Sequence, residues 1–557
     1  MPKKKLYKLL CGISLASVMP TAIACSVIEE NKSKNEDSIN EPTGKDNPNK
    51  ELTNDENNSQ SSNKDKENSE YYKDEDGNIL NGNKLIKVNS NIRELSNTKI
   101  EEIDPEAFSE APFLHTINLP NVHFINDYSF LKILNNLESL TLGVNWIPTN
   151  AFKNNYHLKI VSLPNVEEIF SNAFSGSTSL TSINLPNVKK IGREAFKDSK
   201  SLKTIIAPKL ERSGYDAFEN TSLPEDLIIG KVLVRWNKNI AELSNDDVEF
   251  IAHKAFKGAN SLTSVNLPNV KEIGDYAFSG SESLKSINLP NVEIIWDRAF
   301  EGAASLTSIN LPNVEMIGYA AFVNATSLTS INLPNVEIII EWAFENAKSL
   351  TSINLPNVKE IGNFAFRGAA SLTSIDLPNV KEIGNDAFRG AASLTSIDLP
   401  IIERISWYAF SHAKSLTSIN LPNVKEIGNE AFSWAASLTS IDLPNVEKIG
   451  ERAFDNTASL TSINLPNVKE IGPYAFIGAS LTSINLPNVK EIGDGAFIWA
   501  ESLTSIDLPN VKEIGDSAFF GAKLLTTVIA PNLEKLGENA FKNTALPKGY
   551  KIGKVTV

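Results

Sequence analysis

Cysteine is almost absent from this sequence. The chain of 557 residues has two, Cys11 and Cys25, and none from Ser26 onward. That excludes a disulfide framework, a cysteine nucleophile and a thiolate-ligated zinc site in the bulk of the protein. Histidine is nearly as scarce: His115, His123, His157, His253 and His412 stand apart, with no recurring partnership to a nucleophile. Glycines occur singly at turn positions, so no glycine-rich phosphate loop is present. Positive charge is in deficit, with 53 Lys and Arg against 67 Asp and Glu and a net charge of −14. A nucleic-acid partner needs a basic footprint and is excluded. The apolar run Leu9–Met19 is too short to span a bilayer. These absences point away from an enzyme and from any cofactor or metal.

The first residues read as an address. Lys3, Lys4, Lys5 and Lys8 precede the apolar run, which leads to Ala22-Ile23-Ala24-Cys25. This arrangement resembles a bacterial lipoprotein signal. The resemblance implies that residues 1–24 are removed, that Cys25 is lipidated, and that the protein is anchored to a lipid bilayer on the extracellular side of the cell membrane. Residues 25–78 are rich in Asn, Lys, Glu, Asp and Ser. Such composition buries too little apolar surface to offset chain entropy, so a disordered tether is expected there. Its mean reach is roughly 40 Å.

From Phe108 the chain repeats. Phe recurs at 108, 130, 152, 174, 196 and 218, then at 256, 278, 300, 322, 344, 366, 388, 410, 432, 454, 476, 497, 519 and 541. The spacing is 22, with one gap of 38 residues and one step of 21. A fixed period of this size means a solenoid. In one unit, Ser264-Val265-Asn266-Leu267 alternates as a strand does, and Pro268 ends it. Val270-Lys271-Glu272-Ile273 is a second short extended piece before the turn to Ala277-Phe278. The pattern resembles the BspA-like leucine-rich repeats of bacterial and protist surface proteins. That resemblance implies an α/β-type solenoid, mostly β, a right-handed leucine-rich-repeat coil. It also implies adhesion and host-protein binding, with no shared catalytic residues.

Internal alignments divide the coil. Leu85 to Phe108 matches Leu233 to Phe256 at an offset of 148, and Thr204 to Val234 matches Thr527 to Val557 at an offset of 323. One segment opens both arrays and the other closes both. Two tandem modules are expected, residues 79–232 with six turns and 233–557 with fourteen, joined by a hairpin. Atypical terminal repeats are expected because they cap an open core.

The candidate sites come from differences between repeats. An Asn/Asp column on the strand face, including Asn332, Asn354, Asp398, Asn420, Asp442 and Asn464, is expected to form amide ladders. The two places after Val are mostly Lys-Glu, as in Lys271-Glu272, and are expected to face water. In three consecutive turns the second place becomes Ile294, Met316 and Ile338. Trp296 and Ile340 replace a Gly nearby, and Tyr319 and Trp342 fill positions usually polar. These seven form an expected exposed contact patch. Trp407, Tyr408, Trp434, Tyr474 and Trp499 extend the aromatic set. The expected function is binding of a host surface or matrix protein, with self-association as a further option. The alternative is a non-binding antigenic coat of variable repeat number, suggested by the identical stretches at 370–378, 392–400 and 436–444.

Overall fold

The protein is described here by a computed structural model covering residues 71–556, apart from 126–133 and 135. The expected signal, Cys25, the expected tether up to residue 70 and Phe130 lie outside the described residues. Order begins inside the span expected to be a tether. Tyr71–Lys73 is a strand, antiparallel to Ile79–Asn81. The acidic turn between them is organised by Asp74, whose Oδ1 accepts from the N–H groups of Asp76 and Asn78. Asn78 is fully buried, and its Oδ1 accepts from Asn89 N–H. Composition hid a turn that local hydrogen bonding dictates.

The chain divides into two compact units. The first takes in the described residues up to Ile183, with 191–202 and 219–221; the second takes in 184–190, 203–218 and 222 onward. In the first unit, Ile79–Asn81 also pairs antiparallel with Lys84–Lys87. Lys84–Lys87 then pairs in parallel with Glu102–Ile103, which pairs with Phe124–Ile125. A second ladder runs through Glu94–Ser96, Thr116–Leu119, Ser139–Leu142 and Ile160–Ser162, all parallel.

The second unit repeats one coil. Ser264–Asn266 pairs with Ser286–Asn288 in the next turn, and Glu272–Ile273 pairs with Ile294–Ile295. Each strand is only a few residues long because Pro268 removes a donor and ends it. The third side carries no helix, and none occurs among the described residues. Its backbone alternates into the left-handed region, at Tyr276 (φ 55°) and Gly280 (φ 67°), which no helix tolerates. The alternation aims the N–H groups of Tyr276, Phe278 and Gly280 at the carbonyls of Asp297, Ala299 and Glu301, at 2.9, 2.7 and 2.7 Å. Every side of the coil is therefore tied to the next turn.

The core is a ladder of phenylalanines. In the second unit, neighbouring rings stack at 4.6 Å (Phe256–Phe278) to 5.6 Å (Phe410–Phe432), nearly parallel. Such pairs add about 0.5–1.5 kcal/mol each to the burial itself. The expected amide ladders are present: Asn354 Nδ2 donates to Asn332 Oδ1 at 2.9 Å, Asn420 to Asp398 and Asn464 to Asp442 at 2.8 Å.

The 38-residue gap holds a hairpin, Leu227–Ile229 against Val232–Arg235. Its second strand continues in parallel to Phe250–Ile251. The boundary expected after residue 232 thus falls inside a strand. Beside it, within the second unit, the His253 side chain is buried, with Nε2 3.2 Å from Asp216 Oδ1 and its ring 3.7 Å from Tyr215. Lys254 Nζ also reaches Asp216, at 3.1 Å. Burial alone would raise the Asp216 carboxyl; the close His253 imidazole and the hydrogen bond and charge of Lys254 outweigh it and hold the group well below the usual carboxylate range. The stability this gives is complete above the ordinary carboxylate pKa and is lost as pH falls through the lowered value. Asp216→Asn is expected to cost about 2 kcal/mol near neutral pH by stranding a cation. It should also flatten the acid limb of a stability–pH curve; an unchanged limb would remove Asp216 from this role.

Candidate functional site

The seven patch residues share the outer side of one parallel sheet and the turn that follows it. Ile294 pairs with Met316 across strands, Ile338 sits in the next strand, and Ile338 pairs with Glu360. The patch is less exposed than the sequence implied. Ile294 is 9% exposed, and Met316, Ile338, Trp296, Ile340, Tyr319 and Trp342 are half-buried. Side chains of this size, about 4.8 Å apart along a sheet, cover each other's flanks. The column is also not uniformly wet: Glu272, the partner of Ile294, is 7% exposed. Arg212, sixty positions earlier, bonds to the Glu272 carboxylate while its guanidinium lies 5.9 Å from the Phe250 ring centre.

The turn side carries an arrangement the sequence reading missed. Tyr276, Arg298, Trp342, Phe364, Tyr408, Arg452 and Tyr474 fall in one column at multiples of 22, with Ala320, Asp386 and Glu430 between them. All have left-handed backbones. The Arg298 guanidinium lies 5.8 Å from the Tyr276 ring and 5.3 Å from Tyr319. Trp342 stacks on Phe364 at 4.4 Å, and Arg367 covers both at 6.0 and 5.4 Å. Arg389 covers Tyr408 at 5.1 Å, and Arg452 covers Tyr474 at 5.2 Å. Carboxylates fix the cations: Glu301 holds Arg298 at 3.0 Å and Asp386 holds Arg389 at 2.9 Å. Burial raises the Tyr408 phenol above its ordinary value, and Glu430, which accepts its hydrogen bond, adds to the rise. The 22-residue offset was the available signal; the left-handed backbone that turns these side chains to one side was not readable from it.

Of the other aromatic positions, Tyr408 and Tyr474 belong to this row and are half-buried. Trp407, Trp434 and Trp499 are exposed, at 38%, 47% and 55%. The described residues hold no cluster of three or more His, Cys, Asp or Glu side chains able to bind a metal. Among them no helix is long and apolar enough to cross a membrane. What the surface offers is rigid aromatic area braced by arginine, the residue types that anchor protein interfaces.

The sequence matches the description of the BspA type leucine rich repeat region in six copies, over residues 87–203, 167–244, 235–350, 315–434 and 425–547. The chain belongs to this family. No curated protein matches it. Among solved structures, this BspA-type chain is similar to a leucine-rich repeat protein from Bacteroides ovatus, at 25% identity over 72% of this chain and 80% of that one, with a TM-score of 0.28. It is also similar to a leucine rich cell surface protein from Faecalibacterium prausnitzii, at 22% identity over 65% and 83%, TM-score 0.22. A third is the pneumococcal vaccine antigen PcpA, at 15% identity over 64% and 99%, TM-score 0.28.

Proposed function

We propose that this BspA-type repeat protein is displayed on the cell surface, held by a lipid on Cys25, and binds an extracellular host or matrix protein. The carrying observation is the half-buried row of Met316 and Ile338, with Trp296 and Ile340 beside it, where most other turns place Glu or Gly. A sheet face that is charged along most of its length and apolar over a few turns marks a contact. The arginine-braced aromatics beside it add rigid anchors.

The test uses a charge pair. Ile294→Glu would bury a carboxylate opposite Glu272, so Ile294 is left intact. Met316→Glu with Ile338→Lys places opposite charges side by side, and the lysine faces Glu360. Stability is expected to move by less than about 1 kcal/mol. Binding to whole host cells is expected to fall tenfold or more, by about 1.4 kcal/mol at least. An unchanged melt with undiminished binding would reject the patch as the site. A coat reading rests on the near-identical stretches and would be favoured if isolates with different turn numbers adhered equally.

A further inference from the structure

Two exposed tryptophans occupy a position built for glycine or asparagine. Fourteen successive turns of the second unit carry, two residues after the core Phe, the series Gly258, Gly280, Gly302, Asn324, Asn346, Gly368, Gly390, His412, Trp434, Asn456, Gly478, Trp499, Gly521 and Asn543. All are in the left-handed region, Trp434 at φ 62° and Trp499 at φ 55°. The ladder imposes this conformation, since the N–H of Trp434 donates to Asp455 O at 2.8 Å and that of Trp499 to Phe520 O at 2.9 Å. A bulky residue is disfavoured there. Strain of this kind, retained at two exposed indoles, is an observation from which function is inferred.

The indoles are held from outside the interval between them. Trp434 stacks on His412 of the preceding turn at 6.1 Å and 19°. Trp499 lies against Gly521 of the following turn, where an added Cβ would stand 2.6 Å from the indole Cδ1. The interval spans three turns, roughly 14 Å at about 4.8 Å per turn. Its floor is small and uncharged: Asn456, Ala458, Ser459, Gly478 and Ser480. The single 21-residue step falls here, between Phe476 and Phe497. The missing residue tightens the corner at Ala479–Ser480, where Ser480 Oγ donates to Ala458 O at 2.6 Å. Asp455 beside Asn456 is buried, and that burial raises its carboxyl above the usual range. Glu501, whose N–H donates to Trp499 O, is exposed at the end of the strip and paired with Lys523 at 2.7 Å.

We propose that Trp434 and Trp499 form the two ends of a binding strip for a neutral oligosaccharide. A pyranose has an apolar face of C–H groups that seats on an indole and a rim of hydroxyls that seeks uncharged amides and hydroxyls. The strip supplies both, in that order, at a separation a few linked sugars long. A protein ligand would instead need a continuous apolar centre, and here the apolar surfaces are parted by a polar floor. This site lies on different turns from the Met316 and Ile338 row and stands independently of it.

The experiment titrates the full chain with cello-, chito- and xylo-oligosaccharides of two, four and six residues by calorimetry. Hexamers of at least one series are expected to bind, and dimers about tenfold or more weaker, because a dimer reaches one indole only. Trp434→Asn and Trp499→Asn restore the column's own residue, so the melting temperature should hold or rise. Each should weaken the hexamer about tenfold, while Trp407→Ala and the Met316/Ile338 double variant leave it unchanged. No binding of any hexamer, or equal binding by the double Asn variant, overturns the proposal. Loss of host-cell protein binding in the Asn variants without any saccharide binding also overturns it, and reassigns the indoles as protein anchors.

Discussion

Ending the chain at Phe519 is expected to produce aggregation that the full chain does not show. Phe519 stacks on Phe541 at 5.1 Å, and that partner would be gone. Ser505–Asp507 would lose Thr527–Ile529, and Glu513–Ile514 would lose Lys535–Leu536, leaving two open strand edges. The closing hairpin Lys551–Ile552/Val555–Thr556 would go as well, with the buried Ile552. Leu503, Ile506, Leu508, Ile514 and Phe519, now almost fully buried, would each be bared on one flank. At about 1.5–3 kcal/mol for complete burial of such side chains, the partial losses sum to on the order of 5 kcal/mol. Bare edges and a bare core promote pairing with other chains. Size-exclusion profiles and monomer yield decide the matter: an equally monomeric truncated chain would show that the last turn does not cap the coil.

Phe366→Ala is expected to cost about 3–5 kcal/mol, the usual range for emptying a buried aromatic site. Phe366 has no exposure and stacks on Phe344 at 5.4 Å and Phe388 at 5.3 Å. The consequence should be local, because each coil touches its neighbours and little else. Hydrogen exchange is the proper readout, since one melting temperature poorly describes a long array. Amides of the three turns around Phe366 should lose protection, while those near Phe278 and Phe497 keep theirs. Phe113→Ala, at a site 61% exposed, serves as the control and should change nothing. Uniform loss of protection along the coil would mean the array melts as one unit.

Features set by a single repeat were legible in the sequence. The Phe ladder, the strand at Ser-Ile-Asn and the amide column follow from period, alternation and Pro placement alone. Features set between turns were harder. Ile294 reads as exposed until Arg212 is found drawn onto Glu272 across the hairpin, an interaction between positions 60 residues apart with no shared period. The aromatic–arginine row needs the alternating left-handed backbone, which places Tyr276, Arg298 and Trp342 where a helix would have scattered them. The turn held by Asp74 lies in a stretch whose average composition argues for disorder, so it was not readable from composition.

The 21-residue turn has a bearing on how the chain finds its structure. Most turns offer the next one the same phenylalanine, the same amide and the same backbone donors, so a coil displaced by a whole turn during folding would satisfy nearly all of them. Such a chain has many almost equivalent ways to begin and a risk of joining out of step. A single deviant length, together with the hairpin at Gly230, acts as an index mark. Two growing segments that meet out of step cannot both accommodate it, so the error is caught where they join.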